Sequence, residues 1–341
     1  ETRGGAVAAM KRAVILLWSW VAPLAAQTVL NKMGTVAPDG SPWHQILQQM
    51  GQQWQKISGG KVTLRIYPGG VLGDEPDMIT KMRIGQLQAV ALSGSGLSRL
   101  EPAVACLQIP MMIESYEELD YVRDRMAPRL EKMLDAKGYI VLNWGDAGWV
   151  HFFTKTPARR LDDIRKMKLF TMAGDADALE LYQSAGFRPV PLATTDMMPA
   201  LQTGLIEAFD VPPLLAMLNQ WFGLARYMID VKWAPLVGAT VVSKKTWERI
   251  PESMRPAMLE AARSAGVRLR TEIRKMGDDA VAEMKKRGLN VIAVDAATLA
   301  EWRREVEEAY PKLRGRLVPA ELFDEVKRLR DEFRAQRGKK S

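Results

Sequence analysis

Side chains able to do acid–base, nucleophilic or metal chemistry are few in this sequence, and their spacing suits none of those tasks. Only two histidines occur, His44 and His151, and neither has a partner at metal-ligand spacing. The one cysteine, Cys106, excludes an intrachain disulfide and any thiolate cluster. It stands in the apolar run Ala103-Val104-Ala105-Cys106-Leu107, which points to a buried, inert thiol. No Gly-x-Ser-x-Gly elbow is present. Asp162-Asp163 and Asp175-x-Asp177 could gather a cation, but helix caps or turns are the commoner use of such pairs. Ser93-Gly94-Ser95-Gly96 follows an apolar run as a dinucleotide loop would, yet Arg99 stands where the third glycine should be. A turn at a cleft edge, offering N–H and hydroxyl donors, is the plainer reading. No catalytic set assembles, so neither an enzyme nor a cofactor or metal is expected. What remains is non-covalent recognition. Trp144, Trp149, Phe152, Phe153, Phe170, Phe209 and Trp233 are expected just past strand ends, where a binding protein sets its ligand contacts.

The elements that must position these residues are legible as hydrophobic periods. From Leu161 to Pro213 the order reads strand, helix, strand, helix, strand, which is half of a parallel α/β sheet. Ligands of such sheets sit beyond the carboxyl ends of the strands, here Phe170-Thr171 and Asp210-Val211. Upstream, strands are expected at Val29 to Met33, Lys61 to Tyr67, Ala89 to Leu92 and Tyr139 to Asn143. Helices are expected from near Trp43 to Ile57, from Asp74 to Ile84, and near Tyr116 to Ala136. Val237 to Val242 is a further strand. Beyond Pro251 one long amphipathic helix covers Met258 to Arg287, then come a strand from Leu289 to Val294 and charged helix over Leu299 to Gln336. The fold class is therefore α/β with two lobes and a cleft between them.

Composition agrees with a globular chain: 341 residues, 47% hydrophobic and 26% charged, are enough for two packed cores. The net charge of +8 is spread and densest near the C-terminus, with no nucleic-acid motif beside it, so nucleic acid is not an expected partner. From Met10 the chain reads as a three-part export signal: two positive charges, an apolar run from Ala13 to Val21, then small residues. That run is too short to span a membrane stably. The expected organisation is a leader at 1–9 and a signal peptide at 10–26. Lobe I then covers 28–150 with a return strand near 236–250, and lobe II covers 151–231. The spanning helix, last strand and C-terminal helices occupy 252–338. The mature protein is expected in the periplasm, not membrane-spanning, as a monomer or homodimer.

These features resemble the solute-binding subunits of tripartite ATP-independent periplasmic (TRAP) transporters, over nearly the whole mature chain. The carriers are Gly59-Gly60-Lys61-Val62 leading to Tyr67-Pro68-Gly69-Gly70-Val71-Leu72-Gly73 with Glu75, and Ile84-Gly85-Gln86-Leu87-Gln88-Ala89. Further carriers are Leu107-Gln108-Ile109-Pro110, Lys166-Met167-Lys168-Leu169 and Ala200-Leu201-Gln202-Thr203-Gly204 running to Pro212. Trp233-Ala234-Pro235 and Val241 to Trp247 complete the set. The resemblance implies a type II-like two-lobed periplasmic binding fold with a helix spanning both lobes. It also implies a small organic ligand and sodium-coupled TRAP membrane subunits as partners.

Departures from the family pattern bear on the ligand. Where the family carries an arginine that grips the substrate carboxylate, this chain has Phe170, and where it carries a ligand-facing asparagine, Val211. A second basic position of the family falls on His151. With Trp149, Asp210, Trp233, Ser93 and Trp43, these are the candidate ligand-binding residues. A charge-assisted bond to a carboxylate is worth roughly 1.5–3 kcal/mol, and burying that carboxylate unpaired costs several more. Covering about 200 Å² of apolar ligand contributes about 5 kcal/mol. An apolar or aromatic ligand is therefore expected, unless Arg188 or Lys232 swings into the cleft as a substitute cation. The alternative is a sensing or scaffold subunit that passes its bound molecule to a signalling or envelope partner.

Overall fold

The computed structural model describes residues 29–174 and 176–338. The expected leader and signal peptide lie outside the described residues, as does Asp175. The first elements are β1 (Val29–Thr35), α1 (Pro42–Ile57), β2 (Val62–Tyr67), α2 (Glu75–Arg83), β3 (Ala89–Ser93), α3 (Gly94–Ser98), α4 (Tyr116–Ala136) and β4 (Tyr139–Trp149). Then follow β5 (His151–Thr154), α5 (Leu161–Arg165), β6 (Lys168–Met172), α6 (Ala176–Ser184), β7 (Arg188–Leu192), α7 (Met197–Thr203), β8 (Ala208–Val211) and α8 (Pro213–Leu218). The chain ends with β9 (Tyr227–Ile229), β10 (Pro235–Ser243), α9 (Lys244–Trp247), α10 (Arg255–Lys286), β11 (Asn290–Ile292), α11 (Ala296–Leu313) and α12 (Ala320–Gly338).

Two sheets carry the two lobes, in the orders β2-β1-β3-β10-β4 and β11-β9-β5-β8-β6-β7. β10 lies antiparallel between β3 and β4, so a strand from late in the chain completes the first lobe. In the second sheet β7, β6 and β8 run parallel, and β5 pairs antiparallel with β8. β7 accepts Pro189 and Pro191 because it is an edge strand, where a missing N–H breaks no ladder bond. Local signals set the helix ends. Ser41 accepts from the His44 N–H and Pro42 opens α1, while Asp74 and Asp77 form a reciprocal cap on α2.

Four crossings join the lobes, the last leading from α11 in the second lobe's core to α12, which packs on α4 of the first. β4 passes into β5 through Val150, and the chain returns through 230–234 into β10. Val150 N–H donates to the Ala234 carbonyl (2.8 Å) and the Val150 carbonyl accepts from Trp233 N–H (2.9 Å), so these two crossings are bonded to each other. The third crossing is α10, which packs on α1 and β4 in the first lobe and on α8 in the second. Gly266 permits that approach: a Cβ there would sit 2.7 Å from the Trp144 carbonyl oxygen. Arg274 of the same helix donates to Asp146 of β4 (2.6 and 3.1 Å) and to Asp120 of α4 (2.8 Å, twice).

Four expectations need correcting. β4 does not stop at Asn143 but runs to Trp149, so Trp144 lies mid-strand and donates to Glu131 (2.8 Å). Phe152, Phe153 and Phe209 likewise sit within strands, fully buried in the second lobe's core, and are not ligand contacts beyond strand ends. The charged stretch Leu299 to Gln336 is two helices, because Gly315 takes φ +84° and the 314–319 turn reverses the chain. Ser93-Gly94-Ser95-Gly96 is not a plain turn but the capped start of α3.

The Asp146 side chain is 1% exposed, so removing its partner strands a buried charge. Arg274→Ala is expected to lower unfolding free energy by about 3–5 kcal/mol. Urea denaturation should show it, and Arg274→Met with Asp146→Asn should recover much of the loss.

Candidate functional site

The facing edges of the two lobes meet along the carboxyl ends of their strands. Asp74, at the cap of α2, accepts from the Thr194 N–H of the opposite lobe (2.7 Å). Arg99, after α3, donates to the Gly174 carbonyl, and Arg316 pairs with Glu180. Gly70, at φ +70°, lies so close to Thr195 that a Cβ would sit 3.1 Å from its methyl. The lobes are therefore in contact across the cleft, which is a closed arrangement.

The expected site residues fall into three groups. His151, Val211 and Phe170 share one face of the second sheet. His151 is opposite Val211 in register, and Val211 and Phe170 pack in the same apolar cluster with Phe153 and Phe209. Leu169 and Phe209 are fully buried, whereas Phe170 and Val211 keep 8% and 7% exposure toward their strand ends. His151 Nδ1 lies 3.2 Å from the Ile229 carbonyl, and burial holds the imidazole below its ordinary pKa, so it is neutral.

Asp210 and Trp233 are on the opposite face. Asp210 stands opposite Phe152, whose ring meets that of Trp233 at 5.2 Å, and Trp233 also packs on Trp302. Tyr182 Oη donates to Asp210 Oδ2 (3.1 Å). Asp210 has no ion-pair partner among the described residues, and burial pushes its pKa up to about 7.

Ser93, Trp149 and Trp43 belong to the first lobe's side. Ser93 is engaged by Glu75, which accepts from its N–H (2.6 Å) and its hydroxyl (2.7 Å). Burial, opposed by those bonds, raises Glu75 to about 7. Trp149 is 5% exposed, stacks on Tyr116 at 5.5 Å, and its Nε1–H has no partner. The Tyr116 ring lies over Arg274 (4.3 Å) and the Trp149 ring under the Lys232 ammonium (5.2 Å). Trp43, at the start of α1 after the carboxyl end of β1, is half-buried against α8 and α10.

Of the two substitute cations, Arg188 opens β7 at the end remote from the cleft and donates to the Lys166 carbonyl (3.2 Å). Lys232 is exposed beside Trp149. Cys106 is buried and its thiol is pushed up to about 12. A surface groove of about 360 Å³, floored by Leu214, Met217 and Met276, lies between α8 and α10 and not in the cleft. Sequence reasoning placed Thr171 at a strand end but missed Tyr182, Asp74 and Arg99 as site residues, and it met Glu75 only as part of a motif. Nothing in periodicity marks Asp74 and Arg99, which meet the opposite lobe, or the packing of α6 that brings Tyr182 to Asp210.

Both Glu75 and Asp210 keep a proton to about pH 7 when folded, against 4.5 and 3.8 ordinarily. The folded protein thus binds more protons between about pH 4 and 7, and stability falls as pH rises through that window. Melting temperature is expected to drop from about pH 5.5 to about pH 8. Asp210→Asn should flatten part of that slope, each tenfold gain in proton affinity on folding being worth ~1.4 kcal/mol at most.

The fold and cleft have close counterparts. Residues 33–315 match the family model for bacterial extracellular solute-binding protein, family 7 (DctP). A solute-binding protein of Chromohalobacter salexigens is 25% identical over 67% of this chain and 69% of its own. The sialic acid-binding periplasmic protein SiaP of Vibrio cholerae is 19% identical over 90% and 96%. The crystal structure of the sugar acid binding protein DctPAm from Advenella mimigardefordensis, in complex with galactonate, superimposes with a TM-score of 0.84. It is 20% identical and covers 90% of this chain and 99% of that one. Among the described residues no helix is long and apolar enough to cross a membrane. The two-lobed fold, its motifs and the match over 33–315 place this chain in the DctP family, the solute-binding proteins of TRAP transporters.

Proposed function

We propose that this protein is an exported receptor that captures a small organic molecule with an apolar or aromatic body and delivers it to TRAP membrane subunits. The observation that carries the ligand reading is the charge of the strand ends. Phe170 and Val211 stand where the family has its carboxylate-gripping arginine and its asparagine. His151 beside them is neutral, and neither Asp210 nor Glu75 meets a cation among the described residues. A carboxylate brought there would find no cation and no bidentate donor, at a cost of several kcal/mol. An apolar body would find aromatic walls and contribute about 25 cal/mol for each Å² removed from water.

One observation favours a second reading. Lys232 carries its ammonium over Trp149, so an apolar monocarboxylate could reach a cation from the hinge side. SiaP and DctPAm are named for acidic ligands, which keeps that reading in view. Binding in either case acts on the open–closed equilibrium by bridging the lobes, and the membrane subunits read the closed form.

A thermal-shift screen of the purified protein should show stabilisation by aromatic compounds and none by succinate or malate. The reverse pattern would remove the apolar reading. Phe170→Arg with Val211→Asn is expected to gain succinate binding by at least about tenfold, measured by calorimetry. Binding of an aromatic monocarboxylate that is lost in Lys232→Ala would instead support the second reading.

A further inference from the structure

Granted the apolar receptor proposed above, we propose that it has a polar position at Asp210, on the face of the second sheet opposite Phe170 and Val211, and that this position takes an organic ammonium group. The placement carries the argument. Leu169 of β6 is opposite Ala208 of β8 in a parallel pair, so Thr171 comes opposite Asp210 on the same face. Thr171 is 5% exposed and its hydroxyl has no hydrogen-bond partner, although a buried hydroxyl ordinarily finds one. Asp210 keeps some exposure, with one oxygen accepting from Tyr182. Phe152 is its register partner across β5 and β8, and the Trp233 ring packs edge-on against Phe152.

A carboxylate with one side-chain donor, and an unsatisfied hydroxyl in register with it on the neighbouring strand, fit a ligand group that is positive and donates several hydrogen bonds. An alkylammonium has three donors and no acceptor, so it can serve the free Asp210 oxygen and the Thr171 oxygen together. A ligand carboxylate would do the opposite, placing negative charge beside Asp210 with only a hydroxyl donor to meet it. A neutral hydroxyl would satisfy one partner and leave the carboxylate's charge uncompensated. The burial that raises the Asp210 pKa is offset when a cation docks, so an amine ligand keeps this carboxyl ionised.

The test uses the purified mature protein and three probes that share one aromatic body: 2-phenylethylamine, 2-phenylethanol and 3-phenylpropionate, with gluconate as a polar control. Calorimetry is expected to give the amine at least about tenfold tighter binding than either of the other two. Asp210→Asn should remove that preference by a similar factor, and Thr171→Val should weaken the amine more than the alcohol. Tighter binding of 3-phenylpropionate than of the amine would overturn the inference and leave the apolar receptor standing. So would an Asp210→Asn protein that is folded by circular dichroism and keeps the full preference. Silence from all three aromatic probes with binding of gluconate would remove the apolar reading and this inference together.

Discussion

The structure depends on how the chain is held where it crosses between lobes. Val150 exchanges both of its backbone bonds with the returning segment, donating to Ala234 and accepting from Trp233 N–H. Met111 of the first lobe then donates to the Trp233 carbonyl (2.7 Å). A crossing made of two strands bonded to each other bends far more easily than it shears or separates, because each backbone bond must be kept in a buried setting. The third crossing, α10, is stiff along its axis and is pinned to β4 by Arg274 and by the close approach at Gly266.

Buried charge is treated differently at the hinge and in the cleft. Arg274 directs its whole guanidinium to Asp120 and Asp146, so the hinge side is electrostatically complete. In the cleft Glu75 is satisfied by two donors from Ser93, which makes it part of the wall. Among the described residues Asp210 has one side-chain donor and no cation, and Trp149 Nε1 and Thr171 Oγ1 have no partner. Native interiors keep few such groups, and those that persist need a reason. A molecule held between the lobes supplies one.

Most of the fold was legible because its signals are local. Hydrophobic period gives α4 over Tyr116–Ala136, with the bounds expected from sequence, and the β6–α6–β7–α7–β8 order. Where the sequence misleads, the missing information is tertiary. β4 continues past Asn143 because β10, a partner arriving much later in the chain, pairs with it as far as Trp149. The break between α11 and α12 rests on one glycine in a charge-rich run whose period hardly changes. For the site, residue type identified Phe170, Val211 and His151 as neighbours of one kind, and strand register explains why they meet. That Asp210 faces the other way follows from the two-residue period of β8, yet its tie to Tyr182 needs the packing of α6.

Closure rests on a small set of contacts. The bonds that join the lobe edges include two between first-lobe side chains and second-lobe backbone, where Asp74 accepts from Thr194 N–H and Arg99 donates to the Gly174 carbonyl, beside the Arg316–Glu180 ion pair. Both side chains lie where water can replace the partner once the lobes part, so each contributes only about 0.5–1.5 kcal/mol to the closed form. Latches of that strength bias the equilibrium modestly and leave most of the discrimination to the ligand. A ligand shifts closure only by the difference between its affinities for the two states. Contacts confined to one lobe, such as Phe170 and Val211, raise affinity for both states alike. A group that reaches from Asp210 toward Trp149, on the other lobe's side, exists as a bridge only when the cleft is shut. On the reading proposed above, the chemistry between those two residues, more than the size of the apolar wall, decides which molecules make the receptor close.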